Sequence, residues 1–247
     1  MDFGLAGRRA AVAASSAGLG LASARALAAE GVRVAICGRD PHKLAAAVAD
    51  LPDAIALQAD VSTVPGALSF VEEATVELGG LDILVPNAGG PPPGTFETTP
   101  LEAYLPALEL NLLSTVAMCK AAVPAMCEQG WGRVVAITSM AVRQPNPMLI
   151  LSNTARAGVT GFLKTLATEV ADKGVTVNSV QPGIHATDRM TQLYRGNPED
   201  AAADIPAKVV GQPEDFGAVV AFLCSDAARF VTGTAIPVDG GAFRGLQ

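Results

Sequence analysis

Aromatic side chains are scarce in this sequence. They make up 4% of its 247 residues, with a single Trp and only two tyrosines, Tyr104 and Tyr194. Any chemistry that needs a phenol must draw on those two. Histidine appears twice and cysteine four times, at Cys37, Cys119, Cys127 and Cys224. No CxxC pair and no Cys/His cluster with zinc-ligand spacing occurs, so no metal site is expected, and the thiols read as buried and inert. Basic residues are outnumbered, 17 Lys+Arg against 24 Asp+Glu, for a net charge of −7. This balance argues against a nucleic-acid or anionic-lipid surface, which needs clustered cations to offset phosphate charge. No stretch approaches the ~18 uninterrupted apolar residues of a transmembrane helix. The N-terminal residues 1–9 lack the apolar core of a signal peptide, so the expected setting is the cytoplasm.

What is present is a regular alternation. Half the residues are hydrophobic, gathered into short β-branched runs and longer Ala/Leu-rich amphipathic stretches. Arg9–Ala13, Val32–Cys37, Ala54–Gln58, Ile83–Val85, Arg133–Thr138, Val175–Val180 and Ala235–Val238 read as strands. Gly20–Ala29, Pro41–Leu51, Pro65–Leu78, Pro100–Glu128, Ile150–Asp172 and Glu214–Ser225 read as helices. Asp40, Thr63 and Thr99 each precede an early proline, as helix starts require. Runs such as VRVAIC and RVVAIT are continuously apolar, as in strands covered on both faces. The pattern predicts an α/β fold: a doubly wound, seven-stranded parallel sheet with helices on both faces. With no linker or repeat, residues 1–247 are expected to form one domain.

Two stretches break the rhythm. Gly89–Gly94 contains three consecutive prolines, which exclude it from a central ladder. Residues 186–212 are polar and interrupted by Gly196, Pro198 and Pro206. An irregular segment of this length after strand six suits a substrate lid.

The first strand leads through Ala13-Ala14-Ser15-Ser16-Ala17-Gly18-Leu19-Gly20 into a helix. A glycine-bearing turn of this kind lets backbone N–H groups and a helix N-terminus face a pyrophosphate. Alone the signal is weak, since such turns also serve only to pack helix on strand. Its context strengthens it. Gly38-Arg39, Asp60-Val61 and Asn87-Ala88-Gly89 close strands two, three and four, and ligands of open parallel sheets lie beyond strand carboxyl ends.

On these residues the chain resembles the classical short-chain dehydrogenase/reductase family, in its β-ketoacyl-acyl-carrier-protein-reductase-like branch. The resemblance runs from the first strand to Val238-Asp239-Gly240-Gly241 and implies a Rossmann-type fold. The family's TGxxxGxG falls on Ala13, Ala14, Gly18 and Gly20, and its NNAG on Pro86-Asn87-Ala88-Gly89. Its helix-borne Asn falls on Asn111, its PG motif on Pro182-Gly183 followed by Ile184, and a later threonine on Thr187. These positions are thereby implied to hold a dinucleotide. Ala14 departs from the family's glycine. Its Cβ costs on the order of 1 kcal/mol if the position needs positive φ, and little otherwise. Ser15 and Ser16 remain as hydroxyls for phosphate. Gly38 stands where an NAD-type acid would accept from the ribose 2′-OH, and Arg39 follows it. A guanidinium suits a 2′-phosphate, so NADP(H) is expected over NAD(H). The alternative is an Arg that merely opens a loop.

The family's chemistry uses a Ser to hold a carbonyl oxygen, a Tyr to deliver the proton, a Lys to lower the Tyr pKa, and an Asn in a proton relay. Ser139 matches the Ser. The expected Tyr position falls on Ser152 and the Lys position on Arg156. A serine hydroxyl is far less acidic than a phenol. Arg156 is always protonated, yet still donates to ribose hydroxyls. Four residues apart on a helix, the two share a face.

Other donors are weighed. Tyr104 has packing as its default, while Tyr194 in the lid is placed to swing toward substrate. His185 titrates near neutral pH and is either catalytic or an uncommitted loop residue. Arg143 is either an anion-binding or a surface charge. The reading reached is an NADP(H)-dependent oxidoreductase with Ser139, Asn111, Ser152 and Arg156 as its modified catalytic set. Its substrate is a small molecule, an α,β-unsaturated or simple carbonyl. The alternative is a catalytically silent dinucleotide-binding protein, a sensor or structural partner. The resemblance further implies a homo-oligomer, tetramer or dimer, with Gly158 and Gly161 admitting a partner helix.

Overall fold

The short apolar runs pair side by side, and every ladder is parallel. The computed structural model describes residues 2–188, 190 and 198–246. The strands are β1 (Arg9–Val12), β2 (Arg33–Gly38), β3 (Ile55–Gln58), β4 (Ile83–Val85), β5 (Gly132–Ile137), β6 (Val175–Pro182) and β7 (Ala235–Val238). They form one seven-stranded sheet in the order β3-β2-β1-β4-β5-β6-β7. The order reverses between β1 and β4, which opens a crevice at their carboxyl ends.

Successive side chains of a strand point to opposite faces, so each apolar run feeds two cores. Ala11, Ala35, Leu84, Val134 and Val177 pack beneath α3 (Val64–Leu78), α5 (Ser114–Glu128) and α6 (Ile150–Val170). Val12, Val34, Ile83, Val135 and Val180 pack beneath α1 (Gly18–Ala29), α2 (Pro41–Val48) and a last long helix, Pro213–Cys224. Burial on both faces is why the strands read as unbroken hydrophobic runs.

Several boundaries differ from the expectation. Helix α2 stops at Val48 instead of Leu51, because Pro52 disfavours helical backbone just before it. Asp40 and Thr63 cap their helices through side-chain bonds to backbone N–H groups, but Thr99 caps nothing. The expected single helix over 100–128 is instead a 3-10 turn (Leu101–Ala103), α4 (Tyr104–Leu108), a π-turn (Glu109–Leu113) and α5. By length and composition this stretch could cross a membrane, yet half of its most apolar window is buried within the fold. Cys37, Cys119 and Cys224 are buried as expected, whereas Cys127, next to the end of α5, is only half-buried.

Within 186–212 the described residues are not wholly irregular. A short helix, α7 (Pro198–Ala203), lies before α8 (Pro213–Cys224). His185 and Gly211 form an isolated parallel bridge, so the two ends of the segment meet at the end of β6. Ile205 is buried and the Ala207 N–H donates to Gly240 O, which ties the segment to the turn after β7.

Candidate active site

The turn from β1 to α1 is shaped by non-local bonds. The Ala14 N–H donates to Cys37 Sγ at 3.3 Å, and Ser15 N–H donates to Cys37 O at 2.9 Å. Asn87 Nδ2 donates to the carbonyls of Ala13 and Ala14 at 3.3 and 3.1 Å. Gly20 is required here, because a Cβ would sit 2.7 Å from Ala14 O and 2.9 Å from Asn87 Nδ2. Helix α1 begins with no side-chain cap and no carboxylate in its first turn. Its first N–H groups and the positive end of its dipole are therefore available to an anion. A pyrophosphate fits this cradle.

The expected role of Ser15 does not survive. Its side chain is fully buried, its hydroxyl donates to Val12 O at 2.6 Å, and it accepts from the Cys37 N–H. Ser15 therefore ties the loop to the sheet and does not face phosphate. Ser16 is partly exposed, and its Oγ would lie 2.7 Å from a Cβ on residue 38. Any side chain at Gly38 would therefore displace it. Ala14 has φ +45°, in the left-handed region. Its Cβ is strained there, and Ala14→Gly is expected to stabilise the fold by about 0.5–1 kcal/mol, net of the entropy that glycine adds to the unfolded chain. Denaturant unfolding measures this; a destabilised variant would show that the loop tolerates the Cβ without strain.

At the end of β2, Arg39 is exposed and its carbonyl accepts from Gln58 Nε2 at 3.2 Å. Burial pushes the Asp60 carboxyl up, but its Ser62 hydrogen bonds and the Arg39 charge outweigh this and hold it below the usual carboxylate range. The Val61 side chain is buried in the core. Ala88 is half-buried and Gly89 is exposed. Asn111 sits in the π-turn, a feature that often marks functional sites. Its Nδ2 donates to Gly89 O at 2.9 Å, while its buried Oδ1 has no partner.

Ser139 follows β5, where its Oγ accepts from the Ala141 N–H at 3.1 Å and keeps its own proton for another acceptor. Ser152 is buried on α6. One turn later, Arg156 Nη1 donates to the carbonyls of Ile137 (3.1 Å) and Thr138 (3.2 Å). The guanidinium is thus fixed at the end of β5, next to Ser139.

Beyond β6, Gly183 passes so close to the final turn that a Cβ would sit 2.7 Å from Asp239 Cα. Ile184 is half-buried. Thr187 approaches the phosphate loop, its Cγ2 lying 3.8 Å from where a Cβ on Gly18 would be. A cavity of about 160 Å3 opens here, with Gly18, Leu21, Arg25, Thr187 and Glu214 in its walls. The phosphate loop and the segment after β6 therefore close on one space.

His185 is corrected from a candidate catalytic residue to a packing one. It is buried, its ring meets Phe216 edge-on at 5.4 Å, and it covers Gly211, where a Cβ would collide with it. Burial lowers its pKa, against the raising effects of Gly183 O, Asp215 and Asp239. The folded state thus favours the neutral ring. Its stabilising contribution is complete above the unfolded value near 6.5 and is lost as pH falls through the lower folded pKa. His185→Gln is expected to flatten the fall in melting temperature below about pH 6.5; an unchanged slope would assign that sensitivity elsewhere.

Arg143 is exposed; its Nη2 donates to Ala235 O at 2.9 Å and its guanidinium lies 5.8 Å from the Phe243 ring centroid. Tyr104 is half-buried at the start of α4, and Tyr194 lies outside the described residues. Residue 158 is also corrected: a Cβ on Gly158 would meet Leu112 Cδ2 at 3.1 Å, so the chain's own leucine fills that notch, whereas Gly161 is open. Among the described residues no group of His, Cys, Asp and Glu is arranged to hold a metal. Sequence reasoning missed Cys37 and Gln58, whose loop-positioning roles depend on strands that meet only in the fold.

A parallel sheet with an uncapped glycine turn at its switch point defines a dinucleotide-binding fold of Rossmann type. The comparison with known proteins narrows this. A family profile described as enoyl-(acyl carrier protein) reductase matches residues 13–242. The 3-oxoacyl-[acyl-carrier-protein] reductase of Synechocystis sp. is 37% identical over 236 residues, 93% of this chain and 94% of that protein. The chain belongs to the classical short-chain dehydrogenase/reductase family, and so to its NAD(P)-dependent oxidoreductases. L-Sorbose reductase from Gluconobacter frateurii, solved with NADPH and L-sorbose, superposes with a TM-score of 0.93 at 31% identity over the whole of both chains. A 7α-hydroxysteroid dehydrogenase solved with NADH superposes at 0.92, with 28% identity, over 100% of this chain and 98% of that one.

Proposed function

We propose that the protein is an NADP(H)-dependent reductase of a small carbonyl compound, best suited to α,β-unsaturated carbonyls, working without the family's Tyr and Lys. The observation that carries this reading is the Arg156 guanidinium bound to the Ile137 and Thr138 carbonyls beside Ser139, with Ser152 one turn back on the same helix. The site then offers hydroxyl donors and a permanent positive charge but no phenol at residue 152.

The cradle formed by Gly18, Leu19, Gly20 and Asn87, with Ala88, Gly89, Pro182, Gly183, Ile184 and Thr187 around it, would hold the dinucleotide. Ser16 and Arg39 would face a 2′-phosphate where no carboxylate at residue 38 repels it. When bound, the nicotinamide supplies a hydride. Ser139 Oγ donates a hydrogen bond to the substrate oxygen as negative charge grows on it. Arg156 holds that end of β5 in place and adds positive field. Asn111, with its Oδ1 unpartnered, positions a water at the inner end of the site. Conjugate reduction suits this set, because an enolate oxygen needs hydrogen-bond donors and its carbon is protonated afterwards by solvent. Reduction of a simple ketone needs a proton on oxygen and suffers more from the missing phenol.

Homo-oligomer formation accompanies this reading. Exposed Leu101 and Leu105 on the 101–108 segment and the open Gly161 on α6 support a face for a second copy.

Calorimetric titration with NADPH and NADH tests the cofactor half. NADPH is expected to bind more tightly, and Arg39→Ala to weaken it about tenfold, as expected for loss of a charge-assisted bond. A ketone and enone panel with NADPH tests the rest. Ketone turnover at ordinary rates without enone activity would sink the conjugate-reduction reading, and binding without any turnover would favour a silent dinucleotide-binding protein.

A further inference from the structure

The chain leaves β4 and β5, neighbours in the sheet, through two long segments, 86–100 and 138–149. Backbone bonds join them. The Gly94 N–H donates to Met148 O at 2.8 Å and the Ile150 N–H to Gly94 O at 3.3 Å, so Gly94 and Leu149 form a parallel bridge. A Cβ at residue 94 would strike Thr99 Oγ1, which is why the crossing is made at a glycine. The joined pair stands beyond strand carboxyl ends, where ligands of such sheets lie. One segment contains Gly89, whose carbonyl accepts from Asn111, and the other contains Ser139.

A single side chain grips the junction from α6. Asn146 organises the turn: its Oδ1 accepts from the Met148 N–H at 2.9 Å and its carbonyl from the Leu149 N–H at 2.9 Å. The same carbonyl accepts from Asn153 Nδ2 at 2.8 Å, and the Asn153 N–H donates to Leu149 O at 2.8 Å. Asn153 is the neighbour of Ser152 in the first turn of α6. Its Oδ1 is buried with no partner among the described residues, which costs stability. A leucine would avoid that cost but could not donate to Asn146. The residue type at 153 therefore answers to the grip and not to packing.

The two segments share a chemical character. Residues 88–96 and 144–150 carry no charged side chain and include Pro91, Pro92, Pro93, Pro145 and Pro147. The fixed φ of each proline stiffens the backbone. Phe96 is 85% exposed and Met148 55%, one in each segment and both within two residues of the crossing. Water covers large apolar side chains unfavourably, and an apolar ligand group laid over them releases it.

We propose that the joined segments are the specificity wall of the site and take an apolar group carried by the carbonyl substrate, with Asn153 as the positioning residue that holds this wall to α6. Phe96 and Met148 cover the apolar group while the carbonyl end stays with Ser139. This rests on the reading that a carbonyl compound binds beside Ser139.

The test is calorimetric titration of the full chain, saturated with NADP+, with benzylacetone and with butanone. Benzylacetone is expected to bind at least about tenfold more tightly, as partial burial of its ring would give. Phe96→Ala and Asn153→Leu are each expected to remove most of that preference and to leave NADP+ affinity unchanged. Asn153→Asp, which keeps the size and loses the donor, is expected to act like Asn153→Leu and decides the matter if the latter does not fold. Equal affinity for the two ketones, no measurable binding of benzylacetone, or a preference that survives in the folded Asn153 variants overturns the proposal. So does a parallel fall in NADP+ affinity, which would make residue 153 merely structural. Because NADP+ has no hydride to give, the titration reads binding alone. A protein with the expected preference that reduces no carbonyl with NADPH would refute the reductase reading and leave the wall standing.

Discussion

Ser152→Tyr combined with Arg156→Lys is expected to raise the turnover of a simple ketone with NADPH by about 10²- to 10⁴-fold, the range that a positioned general acid supplies. Residues 152 and 156 lie one turn apart on α6, and the side chain at 156 already reaches the end of β5, where Ser139 stands. A phenol ionises near pH 10 in its unperturbed state, and a neighbouring ammonium lowers that value toward neutrality. The native pair lacks both properties. Serine's hydroxyl is a much weaker acid on a shorter side chain, and the guanidinium never releases its proton. Because a Tyr and Lys act as a unit, each single variant is expected to gain far less than the pair. Steady-state rates on ketones decide the matter. A folded double variant with no gain would show that residues 152 and 156 alone do not limit ketone reduction.

Phe216→Ala is expected to cost about 3–5 kcal/mol of stability, the usual penalty for emptying a large core site. Phe216 is completely buried in the layer that also holds Val12, Leu27, Val85 and Ile137. The surroundings cannot readily collapse into the gap. The next residue, Gly217, brings its helix so close to α1 that a Cβ would lie 2.5 Å from Ala22 O. Near-contact of two backbones leaves no further approach. The phenyl ring also braces His185, whose backbone bridges to Gly211 at the base of the 186–212 segment. The same variant is therefore expected to speed hydrogen exchange at residues 185–187. Denaturant unfolding gives the energy; a loss under about 1 kcal/mol would mean the site collapses after all.

Much of the fold was legible in local pattern. Ile83–Val85 and Ala235–Val238 were expected and found with the same bounds, and the other strands within two residues at either end. Helix starts at Pro41 and near Pro65 were legible because proline and its preceding cap act within one turn. The helix over 100–128 was not. Its residues are uniformly apolar and helix-compatible, so nothing local marks where a π-turn would place Asn111. The candidate site divides in the same way. Gly20 and Gly183 were signalled by motif, and the contacts a Cβ would make at each explain them. Ser15 was misjudged, because a hydroxyl in a glycine turn reads as a phosphate ligand until its partner, Val12 O, is known.

By itself, then, the sequence determined the number, order and type of strands and the position of the glycine turn. It also determined that residue 152 carries no phenol. These follow from side-chain chemistry and from periodicities that act over a few residues. Only the tertiary structure decided which way the turn's hydroxyls point, that Ala14 takes left-handed backbone, that His185 lies under Phe216 and that Arg156 grips the end of β5. The features at Ala14, His185 and Arg156 each depend on a partner from elsewhere in the chain: Cys37, Phe216, Ile137. Such partners meet only when the sheet assembles, and no local pattern encodes the direction in which a side chain will find them.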